Sequence, residues 1–460
     1  MQADRGFTLS HQKVALELGF SGVLAGFTEL TIVPSNAALR HIYLHARCMD
    51  IQRVLCNGQE VRFEHTDAVQ SLALSDIHGH AQLKRDLFSA TSQGAEGELR
   101  ISLPEHLRPE RVSSGTEGNA DVEEFSMMTI RIDYVLEDVH EAIQVIQPTA
   151  DAPYRVPHMY TRPLGLNSSR CWVPCLDSLW DRCTWELEYV VPRRLSVDMG
   201  DLDDETPEIY VISSGELTEH AMHPQNPEKS VFYYTQQVAT SVQHVAFCAG
   251  PFVMTRLSPA GLQTCETLSF CLPEHEHELR STTQFAWQAI EYISSEYGSY
   301  PFGSFKLVFV DGTHEDCHTA STLAICSSDL LHPPSVIDQA FENRHILSHA
   351  VAFQWVGINI IQKTWADTWL IHGLSQYLAS MFLRWLLGNN EYRFRMKKDC
   401  DRLCHWDIGM PPLYQAGRDE PLDPQLLSFV NLKAPLVLYL LDRRLCKMGA
   451  SLGLGRVIPK

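Results

Sequence analysis

The chain has 460 residues and a mass of 52.1 kDa, 45% hydrophobic and 20% charged. That is enough apolar material for more than one buried core, and it excludes a disordered chain. Lys and Arg number 37 against 56 Asp and Glu, a net charge of −19, which excludes a free-standing nucleic-acid binder built on a broad basic face.

The first half reads as β structure. Phe27–Val33, Ile42–Leu44, Val61–Phe63, Met128–Val135 and Trp185–Val191 are short runs rich in β-branched and aromatic residues, several alternating apolar with polar. Turn-rich segments separate them, as in sandwiches and large open sheets. Two acidic, small-residue segments, Ser113–Glu124 and Gly200–Glu208, read as exposed loops. A strand-like His244–Cys248 closes this half, followed by Gly250–Pro251. The character then changes. Thr282–Tyr297 has helical apolar spacing, and Ser304–Val310 is a buried-type strand. Helices are expected through Phe353, over Leu370–Leu387, at Glu391–His405 and at Pro435–Met448. The expected division is a β domain at 1–253 and a mostly helical domain at 254–460.

No run of 18 uncharged apolar residues appears, so no membrane span is expected, and the opening Met1–Gly6 lacks a secretory pattern. Thirteen scattered cysteines, an odd number, suit a reducing compartment better than a disulfide framework.

The chemically informative stretch is Arg344–Tyr377. It contains Gln354, Trp355 and Gly357, then Trp365, Asp367, Trp369, Leu370, Gly373 and Tyr377. This frame resembles the HExxH zinc aminopeptidases of the aminopeptidase-N type. In that family two histidines at i and i+4 on one helical face bind zinc, the Glu between them serves as general base, and a distal Glu completes the ligand set. In the matching register the pentad here is His349-Ala350-Val351-Ala352-Phe353, and the distal position is His372. Ala350 stands at the base position and Phe353 at the second ligand position. The family's substrate-amine anchor falls on His318, in a register counted back from Ser328-Asp329-Leu330-Leu331, and its oxyanion tyrosine on Asn431, two residues before Lys433-Ala434. Packing residues are kept while the groups that would carry the chemistry are replaced. The resemblance therefore implies no catalytic residues, no metal and no cofactor at these degenerate positions.

Two other ligand sets can be drawn from the nearby histidines. A register shifted to His345 and His349 puts Thr368 at the distal position, which is no ligand. A hybrid of His349, His372 and His318 would still lack a base, because Ala350 cannot accept a proton. Cys400, Cys404 and His405 have no second Cys/His pair at finger-like spacing.

The degenerate pattern is similar to a non-catalytic branch of the same family, the TBP-associated-factor-2 type of the general transcription factor TFIID. Ser168–Ser178 with Cys183–Glu188, Gly26–Ile32 and Asn390–Arg393 match that branch in order. The resemblance runs from about residue 8 to residue 445, and family members are longer than this chain, so a truncated C-terminal end is expected. It implies a saddle-like β-sandwich domain followed by a thermolysin-like α/β domain with a degenerate active site. It also implies a nuclear, structural role in core-promoter (initiator) recognition and preinitiation complex assembly. The implied partners are TBP, TBP-associated factors 1 and 8, and promoter DNA in the context of the complex, with no membrane. The readings set against it are an aminopeptidase with a rearranged zinc site and a peptide-binding module using the inherited cleft.

Overall fold

Met128–Leu136 is buried at every second residue. That is the signature of a strand with one face on a core, and the rest of the first half is organised around it. In the computed structural model the described residues are 5–458, apart from 71, 73–78, 94–95, 111–124, 138, 163–166, 196–207, 260–264, 314, 419 and 449–452. The expected acidic loop at Ser113–Glu124 lies outside the described residues, as does all of Gly200–Glu208 except Glu208. The chain divides into two compact units, Gln2–Pro251 and Phe252–Lys460.

The N-terminal unit is built on an eight-stranded sheet. Its spatial order is Glu216–Met222, Lys229–Ser241, Arg182–Pro192, Phe7–Leu18, Leu24–Pro34, Met128–Leu136, Asp50–Cys56 and Gln59–Glu60. Its pairs are antiparallel except for Phe7–Leu18 beside Arg182–Pro192, which run parallel with Val14 opposite Leu187. A four-stranded sheet (Tyr210–Ser213, Phe247–Gly250, His158–Thr161, Ile143–Ile146) and a three-stranded sheet (His41–Leu44, Leu99–Ser102, Phe63–His65) accompany it. Ile132, Tyr134, Trp185, Phe247, Ile42 and Ile101, drawn from all three sheets, share one continuous core.

Two β expectations are corrected. Val61–Phe63 is not one strand. Gln59–Glu60 returns along Asp50–Cys56 after a turn in which Asn57 and Gly58 both have positive φ, while Phe63–His65 pairs with Leu99–Ile101 in another sheet. The run is split because its two ends serve different sheets. His244–Cys248 begins as a 3₁₀ turn, Val242–His244, and the strand starts only at Phe247. The Ser241 hydroxyl accepts from the Gln243 N–H and stabilises that turn.

The second unit holds a five-stranded mixed sheet, Val253–Arg256, Glu266–Cys271, Ser304–Val310, Leu323–Ser327 and Cys317–Ala320. Ser304–Val310 has parallel neighbours on both sides and is buried at all seven positions. This is why five of its seven residues are apolar, with Ser304 and Lys306 buried among them. Helices follow at Asp338–Phe353, Thr368–Leu387, Asn389–Trp406 and Pro424–Lys447.

Two helix expectations are also corrected. Thr282–Tyr297 is two helices, Glu276–Thr283 and Ala286–Tyr297. The Thr283 hydroxyl donates back to the Leu279 carbonyl at 2.6 Å at the break. The last helix starts at Pro424, not Pro435. Asp423 caps it by accepting from the Leu426 N–H at 2.9 Å, and Pro435 lies inside it. A proline at the first turn costs nothing there, so the helix starts a full three turns earlier than the apolar pattern suggests. By length and composition alone Pro424–Lys447 could cross a membrane, and it is the one such helix among the described residues. It packs closely on Thr368–Leu387 through Gly373, where a Cβ would come within 2.9 Å of the Ala434 Cβ.

Candidate functional site

Helix Asp338–Phe353 places an acid in its first turn, complementing the helix dipole. Asn343, Leu347, Ala350 and Val351 form its buried face at spacings of three and four. Asn343 pins it to the sheet side by donating to the Leu330 carbonyl at 2.6 Å.

The residues after this helix show what the retained frame does. Gln354 donates from Nε2 to the Ala320 carbonyl and accepts at Oε1 from the Thr322 N–H, both at 2.9 Å. It thereby clamps the turn between the last two strands of the sheet, where Thr322 sits at a positive φ of 59°. A β-branched residue is strained there, and the clamp holds it. Trp355 donates from Nε1 to the Gly298 carbonyl at 2.9 Å and packs on Tyr300, ring centroids 5.0 Å apart. Thr364 and Asp367 form a reciprocal capping box that starts the next helix.

Gly357 has a direct relation to the degenerate site. Its φ is +141°, and a Cβ built on it would lie 2.5 Å from the Phe353 ring. Gly357→Ala is therefore expected to destabilise the unit by about 1–3 kcal/mol through strain and overlap. Thermal melting checks this, with Phe353→Ala in the same chain recovering part of the loss.

Phe353 packs against two imidazoles. Its ring centroid is 5.6 Å from that of His349, edge-on, and 5.7 Å from that of His372. His349 meets the Ser375 hydroxyl at 3.0 Å through Nε2, and that hydroxyl also lies 3.0 Å from the His372 carbonyl. Ser375 has one proton, which goes to the carbonyl, so the His349 Nε2–H donates to Ser375. Burial, reinforced by His372, pushes His349 down to about 3. Burial also pushes His372 down to about 4, with Asn431 beside it opposing the shift. Both imidazoles are neutral at physiological pH. His372 Nδ1 and Asn431 Oδ1 are buried without a well-formed hydrogen bond. Ala350 is 1% exposed and contributes only a methyl group.

The other expected positions are separate. His318 lies half-buried on the edge strand Cys317–Ala320, opposite Ile325, and burial pushes it down to about 4. His345, also pushed down to about 4 by burial, has its Nε2 enclosed without a partner. Thr368 uses its hydroxyl on the Trp365 carbonyl. The structure brings together His349, Phe353, His372 and Asn431, while the donor atoms of His318, His349 and His372 do not all lie within 4.8 Å of one another. Among the described residues, the one group of three or more metal-ligand side chains with donor atoms within 4.8 Å of one another is Glu274, His275 and Asp311. Cys400 and Cys404 are both exposed on one helix.

A catalytic zinc needs three protein donors and an acceptor for the proton of its water. Here the pair of imidazoles is filled in by a phenyl ring, one ring nitrogen is committed to Ser375, and no carboxylate stands at Ala350 or His372. These side chains do not fit zinc. Ser375 and His349 do not form a nucleophilic pair either, because the hydroxyl proton points at a carbonyl and the imidazole is a very weak base. Ser375 was not legible as a site residue in advance; its only signal is its place one helical turn after His372.

The fold is that of the M1 zinc peptidases. The structure superposes on native yeast LTA4 hydrolase with a TM-score of 0.70 at 14% identity, covering 99% of this chain and 62% of that one. It superposes on an M1 zinc metallopeptidase from Deinococcus radiodurans with a TM-score of 0.64 at 16% identity, covering 99% and 86%. No family model matches the chain. In sequence the chain is a relative of transcription initiation factor TFIID subunit 2. It is 33% identical to the Schizosaccharomyces pombe protein over 98% of this chain, and 31% identical to the Drosophila melanogaster protein over 88%. It spans 41% and 32% of the lengths of those two relatives.

Proposed function

We propose that this chain is the aminopeptidase-like part of a non-catalytic subunit of TFIID, acting in the nucleus as a structural element. Its role is to help assemble the RNA polymerase II preinitiation complex and to contribute to core-promoter recognition around the initiator. The partners of this reading are TBP, TBP-associated factors 1 and 8, and promoter DNA within the assembled complex. The observation that carries it is the substitution of chemistry by packing on one helix. Ala350 and Phe353 fill the base and second-ligand positions, while Gln354, Trp355 and Gly357 keep the frame intact. A peptidase needs the first set, and a scaffold needs only the second. The similarity to TFIID subunit 2 along nearly the whole chain supports the same reading.

The net charge of −19 bears on how DNA is met. Few phosphate contacts are available to an acidic chain by itself, so the isolated chain is expected to bind promoter DNA negligibly at physiological salt. The test is affinity purification of the tagged chain from nuclear extract. The expected result is co-elution of TBP and its associated factors. Their absence, or tight sequence-selective DNA binding by the chain alone, would contradict the reading.

A further inference from the structure

The unit Phe252–Lys460 contains a cavity of about 540 Å³ lined by Arg256, Arg280 and Arg344 and, among the described residues, by no carboxylate. Three guanidiniums around one hollow are unexpected in a chain with 19 more acids than bases. Neither Arg280 nor Arg344 has a carboxylate partner among the described residues, while Arg256 meets Glu266 at 3.4 Å on an exposed rim. Arg344 is held in place by aromatic faces, 5.2 Å from the Phe341 centroid and 6.0 Å from that of Phe285. A guanidinium fixed this way keeps its donors free and loses little entropy on binding an oxyanion.

The rest of the wall is not what a small inorganic anion would use. Leucines and the Phe285 and Trp287 rings supply apolar surface, and Gln284 and Gln288 offer paired donors and acceptors. From Phe285 an aromatic ladder runs outward through Phe382, at 6.3 Å, to Trp385, at 5.9 Å, which is 58% exposed. Within the lining itself, Trp287 together with the arginines gives the composition of a protein-binding hot spot. Nucleic acid would need a longer basic track than three arginines. A cavity of this size admits one or two apolar side chains.

We propose that this cavity docks an acidic peptide segment of another protein. A Leu or Phe side chain rests on the apolar part of the wall, flanking Asp or Glu carboxylates pair with Arg280 and Arg344, and the glutamines bond the peptide backbone. The test is fluorescence anisotropy of a short labelled peptide alternating Asp/Glu with Leu and Phe, titrated with the full chain at physiological salt. The expected result is saturable binding that Arg280→Glu and Arg344→Glu each weaken about tenfold or more, that Arg280→Lys largely preserves, and that a peptide with Lys in place of the acids does not show. Arg280 is exposed, so its reversal leaves the melting temperature in place and reads binding alone. Absence of saturable binding, binding indifferent to the Arg280 reversal, or displacement of the peptide by duplex DNA at lower concentration would overturn the proposal.

Discussion

Replacing Arg170 with methionine is expected to lower the stability of the N-terminal unit by about 3–5 kcal/mol. Arg170 is 6% exposed and bridges two buried carboxylates. Its Nε donates to Asp177 and its Nη1 to Glu98, each at 3.0 Å. Glu98 also accepts from Arg47 at 2.9 Å and from the Ala46 N–H at 3.2 Å. Asp177 accepts from Gln243 at 3.1 Å, and its own N–H donates to His45 at 3.0 Å. Burial pushes the Asp177 carboxyl above its ordinary value, and Arg170 is the main force opposing that shift. Removing the guanidinium leaves Asp177 ionised and buried with no cation, or forces it to take up a proton. Either outcome is costly because desolvation is no longer offset. Hydrogen exchange along Arg182–Pro192 reads the loss, and adding Asp177→Asn to the variant should return part of it. A loss below about 1 kcal/mol would place this network among ordinary surface pairs.

The second large effect is acid destabilisation of residues 252–460. His318, His345 and His372 are pushed down to about 4 and His349 to about 3, each chiefly by burial, from an ordinary 6.5. Between pH 6.5 and about 4 the unfolded chain binds protons that the folded unit refuses. Stability is therefore full above pH 6.5, falls as the pH drops, and stops falling from this cause once the folded values are passed. At 1.36 kcal/mol per pH unit, a histidine pushed from 6.5 to about 4 contributes about 3 kcal/mol, and His349, pushed to about 3, about 5 kcal/mol. Denaturant unfolding at a series of pH values measures the slope. His349→Gln, which keeps a donor for Ser375, should reduce it by about one proton, and an unchanged slope would mean that His349 is hydrated in the folded chain.

The parts of this molecule that local chemistry dictates were readable before the structure. Ser304–Val310 is apolar at nearly every position because both its neighbours are parallel and both its faces are covered. The frame residues from Gln354 to Tyr377 were readable as a motif, and Trp369, Leu370, Gly373 and Tyr377 of it lie on the helix Thr368–Leu387. What required the structure was long-range. The pairing of Phe7–Leu18 with Arg182–Pro192 joins residues more than 160 apart, and nothing in either segment names the other. Val61–Phe63 reads as one strand, yet Val61 and Arg62 only link Gln59–Glu60 in one sheet to Phe63–His65 in another. Helix His80–Gln93 is polar on average and was not expected. At the degenerate site, the substitutions at Ala350 and Phe353 were legible because a motif fixes what should stand there. That Phe353 packs on both histidines, and that Ser375 accepts a hydrogen bond from His349, depended on two helices meeting.

The central claim is that one helix presents a methyl group and a phenyl ring where hydrolytic chemistry would need a carboxylate and an imidazole. Zinc content of the purified chain, measured alongside cleavage of an aminoacyl reporter before and after chelation, tests it most directly. Zinc far below one ion per chain and no chelator-sensitive turnover are expected. Zinc near one per chain with turnover that chelation abolishes would contradict it.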